Sequence, residues 1–130
     1  MSIDQEVLQN LIDAAKTVRE NAYAPYSNFK VGAALLSKTE KIFTGCNIEN
    51  VSYGLTVCAE RNAVANAVAS GESEFQAIAI VADTEKLTTP CGACRQVLAE
   101  FNPNMKVILG NLKGDVEETV LSDLFPEPFT

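Results

Sequence analysis

The chain has 130 residues, 47% of them hydrophobic, and this size predicts a single domain, residues 1–130, that buries roughly two-thirds of its unfolded surface. Seventeen acidic residues against ten scattered basic ones give a formal charge of -7. Such a charge repels phosphate backbones and acidic membrane surfaces, so neither nucleic acid nor a membrane is expected as a partner.

Helical and strand patterns alternate along the chain. Apolar residues recur at helical spacing from Val7 to Val18, and Ser2 with Gln5 resembles a capping box, so a first helix is predicted from about residue 3 to 20. The other predicted elements are strands at 29–36 and 42–46 that pair as a hairpin, a loop at 47–56, a helix at 58–69, a strand at 77–82, a helix at 91–101, a strand at 105–109, a turn at 111–114, an edge strand from 116, and a short helix capped by Thr119 that ends before Pro126.

These elements predict an α/β fold, a three-layer α/β/α sandwich with a mixed five-stranded sheet. Strands alternate with helices between residues 58 and 110, which is typical of βαβ units, so most of the sheet is expected to be parallel, with the hairpin at one side. The helices that begin near Cys58 and Cys91 should then start at the same end of the sheet. A helix N-terminus lowers the pKa of a thiol and so favours the thiolate.

Four cysteines and no histidine narrow the possible chemistry. No charged leader or long apolar stretch follows Met1, so we expect a cytoplasmic protein whose thiols stay reduced. Cysteines in that setting more often bind metal or take part in catalysis than form disulfides. Without histidine, a metal must be held by Cys, Asp or Glu, and a general acid or base is expected to be a carboxylate.

The motif Cys58-Ala59-Glu60, followed by Pro90-Cys91-Gly92-Ala93-Cys94, carries the most specific chemistry. Cys58, Cys91 and Cys94 supply three soft ligands for zinc and leave its fourth position open. Bound Zn²⁺ lowers the pKa of water from ~15.7 toward ~7, and Glu60 is close enough to a ligand to move the proton. This combination of motifs is typical of zinc deaminases. The sequence therefore predicts a zinc hydrolase that acts on a small molecule.

Each part of this pattern has an alternative interpretation. Cys91 and Cys94 at a helix start are also typical of thioredoxin-like redox modules. Cys46 could close a four-cysteine structural site, although a free cysteine at a strand end is usually a small buried apolar residue, and we therefore expect an open site. Taken singly, a residue such as Glu60 or Arg61 is commonly a surface charge, one such as Asn47 a turn residue, and one such as Phe29 a core aromatic.

Four runs of sequence extend the pattern over most of the chain. They are Tyr23–Ala34, Gly45–Asn50, Cys58–Arg61 and Pro90–Gln96. With these runs, residues 23–129 resemble the cytidine deaminase family, in its small homotetrameric branch with three zinc-binding cysteines. The resemblance implies zinc-dependent hydrolytic deamination of cytidine and 2′-deoxycytidine to uridine and 2′-deoxyuridine plus ammonia, in pyrimidine salvage, with one Zn²⁺ per subunit.

The resemblance also implies roles for individual residues. Glu60 would carry a proton from water to N3 of the pyrimidine ring and then to the departing amine. Arg61 would donate hydrogen bonds to ligand sulfurs and offset the negative charge of three thiolates. The residues expected to bind substrate are Phe29 by stacking, Asn47 and Glu49 at the ribose hydroxyls, Tyr53 nearby, Ala59 through its backbone, and Phe129 from a neighbouring subunit.

The C-terminal run Leu124–Phe129 resembles the family's Leu-Leu-Pro-x-x-Phe but departs from it at Phe125 and Pro128. If Phe129 crosses an interface, the active sites of a homotetramer are shared between subunits. Two rival substrates stay open within the same chemistry: another small molecule that carries cytosine, such as an aminoacyl-nucleoside antibiotic, or single-stranded nucleic acid. The second would need basic and aromatic surface that this acidic chain lacks.

Overall fold

The first helix begins at an aspartate cap. The computed structural model describes residues 3–130, and in it α1 spans Gln5–Arg19. Asp4 Oδ1 accepts a hydrogen bond of 3.0 Å from the backbone N–H of Glu6, which satisfies one of the donors left open at a helix start. The capping role predicted for Ser2 falls outside the described residues.

The predicted elements are present, with ends that differ by a few residues. The remaining elements are β1 (Val31–Ser37), β2 (Ile42–Cys46), a 3-10 turn (Tyr53–Leu55), α2 (Ala59–Ala69), β3 (Phe75–Ala82), α3 (Gly92–Phe101), β4 (Lys106–Gly110), β5 (Val116–Val120) and α4 (Leu121–Leu124). The cap predicted for the last helix is wrong, because Thr119 belongs to β5 and α4 starts after Val120 without a side-chain cap.

The sheet is mixed, with strand order β2-β1-β3-β4-β5. Only β3 and β4 pair in parallel, and the other three pairings are antiparallel. The expectation of a mostly parallel sheet is therefore wrong. The strands β2, β3 and β4 do point the same way, as their helical connections require, but β1 lies between β2 and β3 and runs in the opposite direction.

Helices cover both faces of the sheet and make the three predicted layers. On one face, α1 packs its buried residues Leu8, Leu11, Ile12 and Ala15 against β1, β3 and β4. On the other face, α2 and α3 share a second apolar cluster with the same strands. Within residues 3–130, none of the helices is both long and apolar enough to cross a bilayer.

A glycine lets α2 lie directly against β2. A Cβ added at Gly45 would lie 2.3 Å from the backbone nitrogen of Ala63 and 2.6 Å from the carbonyl oxygen of Ala59. Two amides beside this contact also join the elements: Asn62 Nδ2 donates to the carbonyl of Cys46 at 2.8 Å, and Asn66 Nδ2 to that of Thr44 at 3.2 Å. These contacts fix the start of α2 relative to the end of β2.

The orientation of β1 gathers several segments at one end of the sheet. In the register, Val31 lies opposite Ala82 and Gly32 lies opposite Cys46, so β1 begins where β2 and β3 end. The segments before β1, after β2 and after β3 therefore leave the sheet together.

Candidate metal centre and active site

Three cysteine sulfurs meet at the N-termini of two helices. Cys58 and Cys91 are the N-cap residues of α2 and α3, and Cys94 is buried in the first turn of α3. The Sγ atoms lie within 4.8 Å of one another, with 3.9 Å between Cys58 and Cys91 and 3.4 Å between Cys91 and Cys94. Tetrahedral zinc with Zn–S bonds of about 2.3 Å separates its sulfurs by roughly 3.8 Å. The donor set and its spacing thus fit zinc.

The cluster has three protein ligands in the described part of the chain. Neither Cys46 nor Glu60 is among the side chains gathered there. Cys46 ends β2, where its carbonyl accepts the hydrogen bond from Asn62. A three-thiol set leaves one tetrahedral position for water or substrate, as catalytic zinc sites require. A redox module built on Cys91 and Cys94 would need only these two thiols. The presence of Cys58 as a third thiol beside them therefore favours metal binding.

The thiols already share their protons unevenly. Hydrogen bonding from the Cys94 thiol, followed by the Arg61 guanidinium and the Cys91 thiol, lowers the pKa of Cys58 to about 5, although burial opposes this. Hydrogen bonding to Cys58 and burial raise the pKa of Cys94 in turn. One thiolate is therefore favoured without metal, and zinc binding must release the remaining protons.

Arg61 places a positive charge against this cluster. Its Nη2 donates to Cys58 Sγ at 3.6 Å, and this hydrogen bond raises the pKa of Arg61 above its usual value. Its Nε is buried and has no hydrogen-bond partner within residues 3–130. The guanidinium thus offsets thiolate charge and keeps an unused donor in the same buried region.

Glu60 is a buried carboxyl group beside the cysteines. It lies in the first turn of α2, is 5% exposed, and burial raises its pKa, with a smaller contribution from the nearby Cys58 charge. A lone surface glutamate would keep its ordinary pKa. A buried carboxyl group with a raised pKa beside metal ligands has the properties of a general acid or base.

A cavity of about 200 Å³ lies over Glu60, Cys58 and Cys91. Phe29 forms an aromatic wall and is 39% exposed, so it is not a core residue. The other lining residues are Val31, Asn47, Thr56, Cys58, Ala59, Glu60, Ile80, Thr88, Thr89 and Cys91. A larger cavity, about 410 Å³, lies at the opposite end of the sheet and contains none of the predicted site residues. The smaller cavity is therefore the one that joins the metal ligands, a carboxyl group and an aromatic ring.

Asn47 connects the end of β2 to the start of β1. Its Oδ1 accepts from the backbone N–H of Val31, and its Nδ2 donates to the carbonyl of Phe29, both at 2.8 Å. The amide is buried and lines the cavity. One N–H and one lone pair of the side chain remain for a ligand.

Glu49 holds the turn before Phe29. Its Oε1 accepts from the backbone N–H groups of Tyr26, at 2.9 Å, and Ser27, at 3.1 Å, while the Ser27 hydroxyl donates to Oε2. The hydroxyl bond lowers the pKa of Glu49. Asn47 and Glu49 thus both contact residues 26–31, as expected for two residues on an extended chain whose alternate side chains point the same way.

Five of the eleven predicted site residues do not line the cavity: Glu49, Tyr53, Arg61, Cys94 and Phe129. Tyr53 is 79% exposed and lines a neighbouring groove of about 310 Å³ together with Glu49. Phe129 is 87% exposed, and the Gln96 amide holds its backbone through two hydrogen bonds of 3.0 and 2.9 Å. Six of the predicted residues line the cavity itself: Phe29, Asn47, Cys58, Ala59, Glu60 and Cys91.

Sequence reasoning missed Arg95 and Gln96, which contact the chain on both sides of the cluster. The available signal was their position in the run Pro90–Gln96, directly after the last cysteine ligand.

The chain is similar to known cytidine deaminases. Residues 5–111 match the family model described as the cytidine and deoxycytidylate deaminase zinc-binding region. A cytidine deaminase of Sporosarcina psychrophila is 55% identical over 95% of this chain and 91% of that protein, and one of Halalkalibacterium halodurans is 55% identical over 94% and 93%. The crystal structure of cytidine deaminase from Burkholderia pseudomallei matches with a TM-score of 0.90 and 54% identity, over 93% of this chain and 98% of that one. These matches confirm the predicted α/β fold and the resemblance seen in the sequence.

Proposed function

Because this chain belongs to the cytidine and deoxycytidylate deaminase family, whose members are zinc-dependent hydrolases, we propose that it converts cytidine and 2′-deoxycytidine to uridine and 2′-deoxyuridine plus ammonia. The observation that carries this proposal is a three-thiol cluster of which Cys58 and Cys91 line the same cavity as the buried carboxyl group of Glu60. We further propose that residues 1–130 act as one catalytic domain in pyrimidine salvage. All four cysteines are free, which fits a reducing cytoplasm.

One zinc ion per subunit would be held by Cys58, Cys91 and Cys94. When bound, it supplies a water molecule of lowered pKa and a positive charge that polarises the reacting centre. Three thiolates would weaken that charge, and Arg61 counteracts this by withdrawing electron density from Cys58 Sγ through its hydrogen bond.

Glu60 moves the protons. Its carboxylate takes a proton from the attacking water and delivers it to N3 of the ring as the water oxygen bonds to C4. It then takes the remaining proton of that oxygen to the exocyclic amine, which leaves as ammonia while the C4 carbonyl forms. A pKa raised by burial brings the carboxyl group closer to the working pH, where proton transfer in both directions is efficient.

The cavity walls orient the nucleoside. Phe29 stacks on the pyrimidine, and the backbone of Ala59 meets the polar edge of the ring. Asn47 and Glu49 bind the ribose hydroxyls with the hydrogen-bonding capacity that their backbone contacts leave unused, and Tyr53 lies beside the sugar. The Glu49 carboxylate repels a 5′-phosphate, so nucleosides are preferred over nucleotides.

The protein acts as a homotetramer with shared active sites, and nucleic acid and membranes are not its partners. The exposure of Phe129 and of the apolar residues Val51, Tyr53 and Leu55 supports assembly, because large exposed apolar groups commonly mark interfaces. Phe129 enters the site of a neighbouring subunit. Sedimentation tests this directly: a fully active monomer contradicts it, and Phe129→Ala should lose activity while it keeps its zinc.

The deciding experiment follows the loss of cytidine absorbance with and without a zinc chelator, in the wild type and in Glu60→Gln. We expect deamination that the chelator abolishes and the variant largely lacks. A metal-free protein that reduces disulfides would instead support a redox module. Zinc-loaded protein that deaminates only another cytosine-bearing compound, such as an aminoacyl nucleoside, would reject the nucleoside assignment.

A further inference from the structure

Arg95, one residue after the ligand Cys94, binds two separate segments of the chain. Its Nε donates to the carbonyl of Pro90 at 2.7 Å, and its Nη2 to the hydroxyl of Thr89 at 3.3 Å. Its Nη1 donates to the carbonyl of Leu124 at 2.7 Å. Arg95 does not line the cavity, so it does not contact substrate there.

The segment that Arg95 holds has few other anchors. Residues 83–91 connect β3 to α3 without regular secondary structure and end at Cys91, which is exposed. Apart from the contacts among the cysteine sulfurs themselves, the other side-chain hydrogen bonds of this segment join Thr84 to Thr88 and Lys113 to Glu85. Both lie at least three residues from Cys91, whereas the bond from Arg95 to Pro90 lies immediately beside it.

The guanidinium suits this task better than an amine. Two short hydrogen bonds from one charged planar group fix both the distance and the relative angle of the two carbonyls. A lysine ammonium at the same position is a flexible point charge and does not reproduce that fork. The contact therefore ties the segment before Cys91 rigidly to the end of α4.

We propose that Arg95 is a positioning residue that keeps Cys91 in place for zinc by fastening its loop to the C-terminal segment. Retention of zinc then depends on order in residues 121–126, which are not among the candidate metal ligands and do not line the cavity. This inference rests on the zinc site of the proposed function.

The test compares Arg95→Gln and Arg95→Lys with the wild type, each loaded with zinc. Transfer of zinc to a chromophoric chelator gives the release rate. We expect release to be about 10–100-fold faster in Arg95→Gln, since loss of groups that support metal ligands commonly weakens binding by that factor. Arg95→Lys should also release zinc faster than the wild type. Arg19→Gln is the matched control, because Arg19 Nε also donates to a backbone carbonyl, that of Lys30 at 3.2 Å, but from α1 on the opposite face of the sheet.

Hydrogen exchange measures the local loosening of the two segments that Arg95 joins, which an activity assay does not report. In Arg95→Gln, the backbone amide of residue 95, which donates to the carbonyl of Cys91, and that of Phe125, which donates to the carbonyl of Leu121, should lose protection together, while Arg19→Gln should leave both unchanged. Release within twofold of the wild type, or unchanged exchange at Phe125, overturns the proposal. If Arg95→Gln does not fold, Arg95→Lys decides by the same two measurements.

The failure of this inference is distinguishable from that of the proposed function. Wild-type protein that holds zinc but does not deaminate cytidine rejects the substrate, and the release rates still decide the role of Arg95. Wild-type protein that binds no zinc rejects the metal site and this inference together.

Discussion

Replacement of Gly45 by alanine should displace the helix that carries Cys58 and Glu60. The added Cβ would meet only backbone atoms, at 2.3 Å from the nitrogen of Ala63 and 2.6 Å from the oxygen of Ala59. No side-chain rotation relieves such contacts. To restore an ordinary separation of 3.4 Å, α2 must move away from β2 by about 1.1 Å at the closest atom.

This shift has two consequences of different size. Overpacking of a close contact costs about 1–3 kcal/mol in the free energy of unfolding, and the hydrogen bond from Asn62 to Cys46 is stretched as well. The start of α2 moves together with Glu60, and a misplacement of about 1 Å at a reacting group lowers turnover by roughly 100-fold. We therefore expect Gly45→Ala to lose far more activity than its change in stability accounts for.

Denaturant unfolding of the zinc-loaded protein and the rate of cytidine deamination measure the two effects. Gly110→Ala is the matched control: it also adds a methyl group to a buried strand of the sheet, but the nearest atom, in the Val81 side chain, would lie 3.4 Å away, an ordinary van der Waals separation. Its stability and turnover should stay near those of the wild type. If Gly45→Ala changes stability by less than about 0.5 kcal/mol and keeps full turnover, α2 is not fixed in the way described.

Three further substitutions test the chemistry. Glu60→Gln keeps the shape of the side chain but cannot shuttle protons, so kcat should fall by about 10²–10⁴-fold with zinc content unchanged; loss of zinc instead would assign Glu60 a ligand role. Arg61→Gln should lower kcat more than it raises KM, because the guanidinium acts on the metal ligands, and an unchanged kcat would reject that role. Glu49→Gln should raise the ratio of kcat/KM for cytidine monophosphate to that for cytidine, whereas wild-type preference for the monophosphate would contradict the assignment.

The metal ligands were the most predictable part of the site. Cys58 and Cys91 precede helical patterns, and Cys94 follows one turn later, so local sequence alone places all three at helix N-termini. Convergence of the two helices also requires β2, β3 and β4 to follow one another in one direction across the sheet, because right-handed crossovers then place α2 and α3 side by side on one face. Local sequence therefore predicts the ligands, and the strand order determines how closely they meet.

Contacts with the backbone were much less predictable. The alternation of Asn47 and Glu49 indicates a shared direction, but their hydrogen bonds depend on how residues 26–31 turn in space. The contacts of Arg95 with Leu124 and of Gln96 with Phe129 join positions 29 and 33 residues apart. Neither periodicity nor capping rules encode partners at such a separation, because both describe only neighbours along one element.

The direction of β1 relative to β3, which the sequence patterns did not predict, bears directly on the site. Pairing of β1 with β2 as a hairpin places Phe29 beside Asn47 in any version of the sheet. If β1 instead ran parallel to β3, Phe29 would lie at the opposite end from residues 83–91 and Cys91, and no single cavity could include both. The predicted assembly of Phe29, Asn47 and Cys91 was thus incompatible with a parallel β1–β3 pair. The observed antiparallel register, with Val31 opposite Ala82, is the arrangement that a shared site for these residues requires.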